Sequence, residues 1–178
     1  MRMSTVSQVQ QSQLLHCPVW DINTGKILGL VEQIWIDKQL HQVIGLTYCE
    51  LEGGINSLPW EQVETVSSEG IWVNYASNIS LVVKSTSFIH YQLDEPIWTT
   101  TRHRLGTLAD FAFEVHSGEI LDYYCVPGPM GRETKTFRLS PGVMNHRCDR
   151  WIVDMNLVFL PTCHPCRSLA KTKTYASL

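Results

Sequence analysis

Between Leu14 and Ser85 the apolar residues fall in short runs broken by turn-forming residues, and few recur at the spacing of a helix face. The run PVWDI, starting at Pro18, leads into Asn23-Thr24-Gly25-Lys26, a hairpin-type turn. The next run, ILGLVEQIWID from Ile27 to Asp37, reads as one long strand. Strict alternation puts Ile27, Val31 and Trp35 on one face and Leu28, Leu30, Ile34 and Ile36 on the other. Both faces are then apolar, which suits a small closed barrel packed against another element. Gly29 predicts a bend or bulge within that strand. Lys38-Gln39-Leu40-His41 turns the chain into a third strand, QVIGLTYCEL, and Glu52-Gly53-Gly54 turns it again. INSLPW and VETV approach a fourth strand, with Pro59 where a missing N–H is tolerated. Ser67-Ser68-Glu69-Gly70 then precedes a fifth, IWVNY. So many strands in so short a stretch predict a compact barrel or sandwich.

The same pattern returns further on. Pro18-Val19-Trp20 is answered by Pro96-Ile97-Trp98, Gly29 by Gly106, and Asp37 by Glu114, at a separation of about 77 residues. The strand ending in Cys49 aligns with the one ending in Cys125, and Ile71-Trp72-Val73 with Trp151-Ile152-Val153. A steady separation over five landmarks predicts internal repetition of one unit. The expected organisation is a flexible tail over 1–13, one unit over 14–85, a more divergent second over 86–161, and a short extension over 162–178. The fold class is mostly β, with two small barrels in tandem that pack together because each core is thin.

Composition changes this picture little. The chain has 178 residues, 44% hydrophobic and 17% charged, which is globular rather than disordered. Its formal charge of −3 gives no support to nucleic-acid binding, which calls for clustered Lys and Arg. The N-terminal residues have no apolar core of a secretory signal, and no apolar run approaches a membrane span. A soluble, cytoplasmic protein with reduced thiols is expected, with peripheral membrane association left open.

The stretches GKILGLVEQIWID, QVIGLTY, LPWEQVETV and IWVNY resemble the PRC-barrel family. That family takes its name from the cytoplasmic domain of the H subunit of the purple-bacterial reaction centre, and it includes the C-terminal domain of ribosome-maturation factors. The first copy covers roughly Leu14 to Tyr75. The second, roughly Glu95 to Met155, departs from the pattern: Phe137-Arg138-Leu139-Ser140-Pro141 stands in place of Leu58-Pro59-Trp60. The resemblance implies a non-enzymatic docking or assembly module. A tandem pair looks like proteins of oxygenic phototrophs, so the implied partner is a photosynthetic complex or its biogenesis machinery at the cytoplasmic face of a thylakoid membrane. The alternative it implies is ribosome or RNA maturation.

Candidate chemistry is sparse. Cys163-His164-Pro165-Cys166 has the spacing of half a zinc site or a redox pair, so Cys163 and Cys166 are the metal candidates. No second such pair exists, and only His146 and Cys148 offer further ligands, by folding back. An unremarkable tail is the plainer reading. Asp37, Glu61 and Glu114 lie beside turns, where carboxylates bond backbone N–H groups more often than they act in acid–base pairs. No catalytic residue or cofactor is expected. Aromatic residues exceed what two thin cores require, and Trp60, Trp72, Trp98 and Tyr124 are the candidates for partner contact. The competing reading is that such residues cover the contact between the two units.

Overall fold

The computed structural model describes residues 6–75, 95–128, 136–147 and 150–155. Its first sheet is built from β2 (Pro18–Asp21), β3 (Ile27–Asp37), β4 (Gln42–Glu50), β5 (Ile55–Pro59), β6 (Val63–Ser67) and β7 (Gly70–Val73). The second is built from β8 (Pro96–Thr99), β9 (Arg104–Glu114), β10 (Ile120–Pro127), β11 (Phe137–Leu139), β12 (Met144–Arg147) and β13 (Arg150–Val153). The strand order is β5-β4-β3-β2-β7-β6 in one and β11-β10-β9-β8-β13-β12 in the other. Element for element these are the same order, including the single parallel pair, β2 with β7 and β8 with β13.

The mostly-β reading holds, but in place of the two expected barrels there are two sheets, and among the described residues neither closes. Strands β5 and β6 are consecutive yet unpaired, as are β11 and β12, so each sheet is left as an open path. The cause lies between them. Pro59 ends β5 and a 3-10 turn, Trp60–Gln62, carries the chain away. In the second sheet Ser140 caps a 3-10 turn, Pro141–Val143, by accepting a hydrogen bond from the Gly142 N–H. A proline cannot donate to a ladder, and a tight turn at that point ends the pairing that closure would need.

The long strand β3 has the expected bounds, but strict alternation fails within it. Its register against β4 shifts between Val31 and Gln33. One bulged residue exchanges the faces, so Val31 is buried together with Ile34 and Ile36, while Leu30 is exposed. Gly29 serves a close approach: a Cβ there would run into the Cys49 carbonyl, just as one at Gly106 would run into that of Val126. Cys49 therefore corresponds to Val126 rather than to Cys125. In keeping with this, Cys49 is half-buried and Cys125 is fully buried.

The N-terminal residues from Val6 onward are not a loose tail. Strand β1 (Gln8–Gln10) pairs antiparallel with β9, Val9 opposite Phe113. At its start the Val6 N–H donates to Val66 O of the first sheet at 3.1 Å. After it, Ser12 Oγ donates to Asp110 Oδ2 at 2.5 Å, and Leu14 is buried in a short helical turn, α1 (Gln11–Leu14). The segment thus spans both halves. In SQVQQSQL only Val9 and Leu14 are apolar, so the polar composition concealed the strand.

One contiguous hydrophobic cluster draws on both sheets. The halves meet through the turns that follow β3 and β9. The Val43 N–H donates to Gly118 O at 2.7 Å, and the Ile120 N–H donates to His41 O at 2.9 Å. The two bonds are reciprocal. His41 and Gly118 occupy the same place in their turns, and both take a left-handed backbone, φ 52° and 74°. Around this pair, Gln42 Nε2 donates to Ser117 O at 2.8 Å, and Lys38 Nζ reaches both carboxylate oxygens of Glu95, at 2.6 and 2.8 Å.

Candidate functional site

The four aromatic residues proposed from sequence have different fates. Trp60 opens the 3-10 turn after β5 and is only 5% exposed. Its indole N–H donates to Val115 O at 2.8 Å, and its ring meets the Phe113 ring edge-on at 5.1 Å. It is a joint residue between the two halves, and it offers no surface to a partner. Leu58-Pro59-Trp60 has no aromatic counterpart in Leu139-Ser140-Pro141, so the plug runs one way, from the first half into the second. Trp72 is half-buried on β7, stacked on Trp20 at 5.3 Å with the rings 14° from parallel. Trp98 is half-buried on β8, with the Arg150 guanidinium over its ring at 5.7 Å. Tyr124 is half-buried on β10, opposite Asp110 on one side and Arg138 on the other. These residues lie on separate elements and form no common site.

A surface that the sequence reading missed lies at the open edge of the first sheet. Leu30 on β3 is opposite Cys49 on β4, and Cys49 is opposite Ile55 on β5. Directly opposed residues share a face, so the three form a row across the strands. It is the outer face, because the neighbouring Leu46, Tyr48 and Leu58 are buried on the inner one. Ile55 is 73% exposed, Leu30 40%, and Leu51, in the turn beside them, 66%. Strand β5 ends the sheet, so its outer edge carries backbone N–H and C=O groups without a strand partner among the described residues. Acidic and amide groups border the row: Cys49 Sγ lies 3.8 Å from Glu32 Oε2, and Asn56 donates to Glu50. The signal in the sequence was the apolar outer face of the long strand. The bulge that decides which residues face out was not visible there.

The titratable groups near the joint are arranged for packing. The turn carboxylates act as expected: Asp37 Oδ1 accepts from the N–H groups of Gln39 and Leu40, and Glu114 Oε2 from that of Ser117. The hydrogen bonds from Ser117 hold the Glu114 carboxyl below its ordinary range. Burial lowers the His41 imidazole, whose Nδ1 lies 2.8 Å from Tyr123 Oη. Burial also pushes the Cys125 thiol up to about 12, so this thiol is held protonated. Cys17, Cys49 and Cys125 are free thiols. Among the described residues no group of three or more His, Cys, Asp or Glu is placed to hold a metal. Cys163 and Cys166 lie outside the described residues. Among the described residues no helix is long and apolar enough to cross a membrane.

Residues 7–76 match the family model of the PRC-barrel domain. The match takes in β1 and the whole first sheet, and it encloses the stretch whose motifs resembled that family. The second sheet lies outside it. No curated protein matches the chain. The PRC-barrel domain serves as a protein-interaction module in some of the families that carry it.

Proposed function

We propose that this protein is a non-enzymatic docking module that binds a protein partner through the outer face and open edge of its first sheet. The observation that carries this reading is the row of exposed Leu30, half-buried Cys49 and exposed Ile55 beside an edge strand that has no outer strand partner among the described residues. An extended segment of the partner adds to the β5 edge through backbone hydrogen bonds, and the apolar row selects its side chains. The match of residues 7–76 to a domain that mediates protein contacts in some families supports the same conclusion. The second half is a diverged second copy of that unit. The common strand order and the reciprocal His41–Ile120 and Gly118–Val43 bonds support this origin. Following the resemblance to proteins of oxygenic phototrophs, the partner belongs to a photosynthetic complex or its assembly machinery, met at a membrane surface.

The test is affinity capture of the full chain from its native cells, comparing wild type with Ile55→Asp and Leu30→Asp. Both side chains are exposed, so folding is expected to survive, with thermal midpoints unchanged. Loss of one well-buried aliphatic contact weakens binding by about tenfold or more. Subunits of photosynthetic complexes should disappear from the variant captures. Retention of the same proteins at the same level by both variants would remove this surface from the interaction. Ribosomal proteins in their place would overturn the choice of partner.

A further inference from the structure

The β8-β13-β12 end of the second sheet is built differently from the β2-β7-β6 end of the first, and a cavity of about 540 Å³ opens there, beside Trp98 and Ile152. In the first sheet Trp20 is the parallel partner of Trp72, and the two indoles stack. In the second, Trp98 is the partner of Ile152. A smaller side chain thus stands where the second indole would lie, and the space it leaves is open. Three cations surround that space. Arg147 and Arg150 are directly opposed on β12 and β13, at the places that Ser67 and Gly70 hold on β6 and β7. Arg102 comes from the turn after β8, where a left-handed backbone, φ 63°, turns the chain toward the cavity wall. Like charges placed directly opposite destabilise a sheet. Yet among the described residues none of the three guanidinium groups has a carboxylate partner; the ion pairs present are Lys38–Glu95 and Arg138–Asp122. The Arg150 guanidinium lies over the Trp98 ring, 5.7 Å from its centroid, a cation–π contact that sets the cation against the cavity wall.

We propose that this cavity binds a small molecule carrying a phosphomonoester. A carboxylate has one charge and two oxygens, fewer acceptors than the three guanidinium groups that line the cavity. A phosphomonoester carries close to two charges at neutral pH and three acceptor oxygens, one for each arginine. The volume lies within the range of about 300–1,000 Å³ for small-molecule sites and exceeds what a bare phosphate fills. The remaining wall, Trp98 and Ile152, suits an apolar body attached to the phosphate.

The experiment is isothermal titration of the full chain with phenyl phosphate, inorganic phosphate and benzoate. It is paired with sedimentation of the chain with phosphatidylcholine vesicles, with and without phosphatidic acid. Phenyl phosphate is expected to bind more tightly than either of the other two. Arg147→Gln and Arg150→Gln should each weaken it by about tenfold to a hundredfold, the range for a hydrogen bond to a charged group. Arg138→Gln, on β11 and paired with Asp122, should leave it unchanged. Ile152→Trp rebuilds the first sheet's indole pair and should abolish binding. If that variant misfolds, the two arginine variants, whose side chains are exposed, decide the matter. Binding only to vesicles with phosphatidic acid, with the same arginine dependence, supports the phosphomonoester and places it on a lipid. No binding to phenyl phosphate or to those vesicles overturns the proposal, as does binding that the arginine substitutions leave intact.

Discussion

Trp60 offers the sharpest test of how the two halves are held together. In Trp60→Ala a ring that is 5% exposed disappears from the contact between the sheets. Truncating a buried Trp to Ala typically removes about 3–5 kcal/mol, from lost burial and the cavity left behind. The same change removes the donor to Val115 O and the edge-on contact with Phe113. Trp60→Phe separates these effects. It keeps most of the ring and loses the N–H, so it should cost about 1–2 kcal/mol. Against a total stability of about 5–15 kcal/mol, the alanine variant loses a large share. The assay is urea unfolding of the full chain, followed by both far-ultraviolet circular dichroism and tryptophan fluorescence. Wild type should unfold in one transition, because a single core joins the sheets. Trp60→Ala should lower the midpoint, and its two probes should separate as the halves uncouple. A loss below about 1 kcal/mol, with coincident probes, would refute the joint role and return Trp60 to the surface.

Two other groups at the joint carry predictions of their own. Lys38 and Glu95 form an ion pair whose side chains are 4% and 19% exposed. Lys38→Met strands the Glu95 charge and should cost about 2–3 kcal/mol, while the double variant Lys38→Met/Glu95→Gln should recover most of that loss. A double-mutant cycle of denaturation midpoints checks this, and a neutral Lys38→Met would contradict it. Burial lowers the folded pKa of His41 below the ordinary 6.5. The unfolded chain then binds the extra proton first, so this contribution is complete above that value and is lost as pH falls below it. Wild type should lose stability between about pH 7.5 and about pH 5.5 more steeply than His41→Asn, which tolerates the left-handed backbone. Equal slopes would remove His41 from the pH dependence.

The two halves show where a single sequence is informative. Strand positions were legible because apolar runs between Gly, Asn and Asp turns leave few other conformations, as at Asn23 to Lys26 and Glu52 to Gly54. The repeat was legible at Val19 and Ile97, which hold the same place in their sheets, each paired with a glycine, Gly29 or Gly106. It misled at Cys49 and Cys125, because identity of residue type outweighed a one-residue difference that reverses the face. The arginine cavity was illegible, since Arg102 lies far along the chain from Arg147 and Arg150 and only a parallel strand pair brings them together.

By itself the sequence determined the elements: short strands, their turns, and a second run of the same pattern. These follow from local physics, the period of a strand and the conformational freedom of turn residues. The tertiary structure alone decided which apolar residues became core. A bulge at the middle of β3 exposed Leu30, a 3-10 turn drove Trp60 into the neighbouring half, and β1 paired with a strand about 100 residues away. Each of these outcomes depends on a contact between residues distant in the chain. No local pattern encodes such a contact, because its free energy exists only once both surfaces have formed.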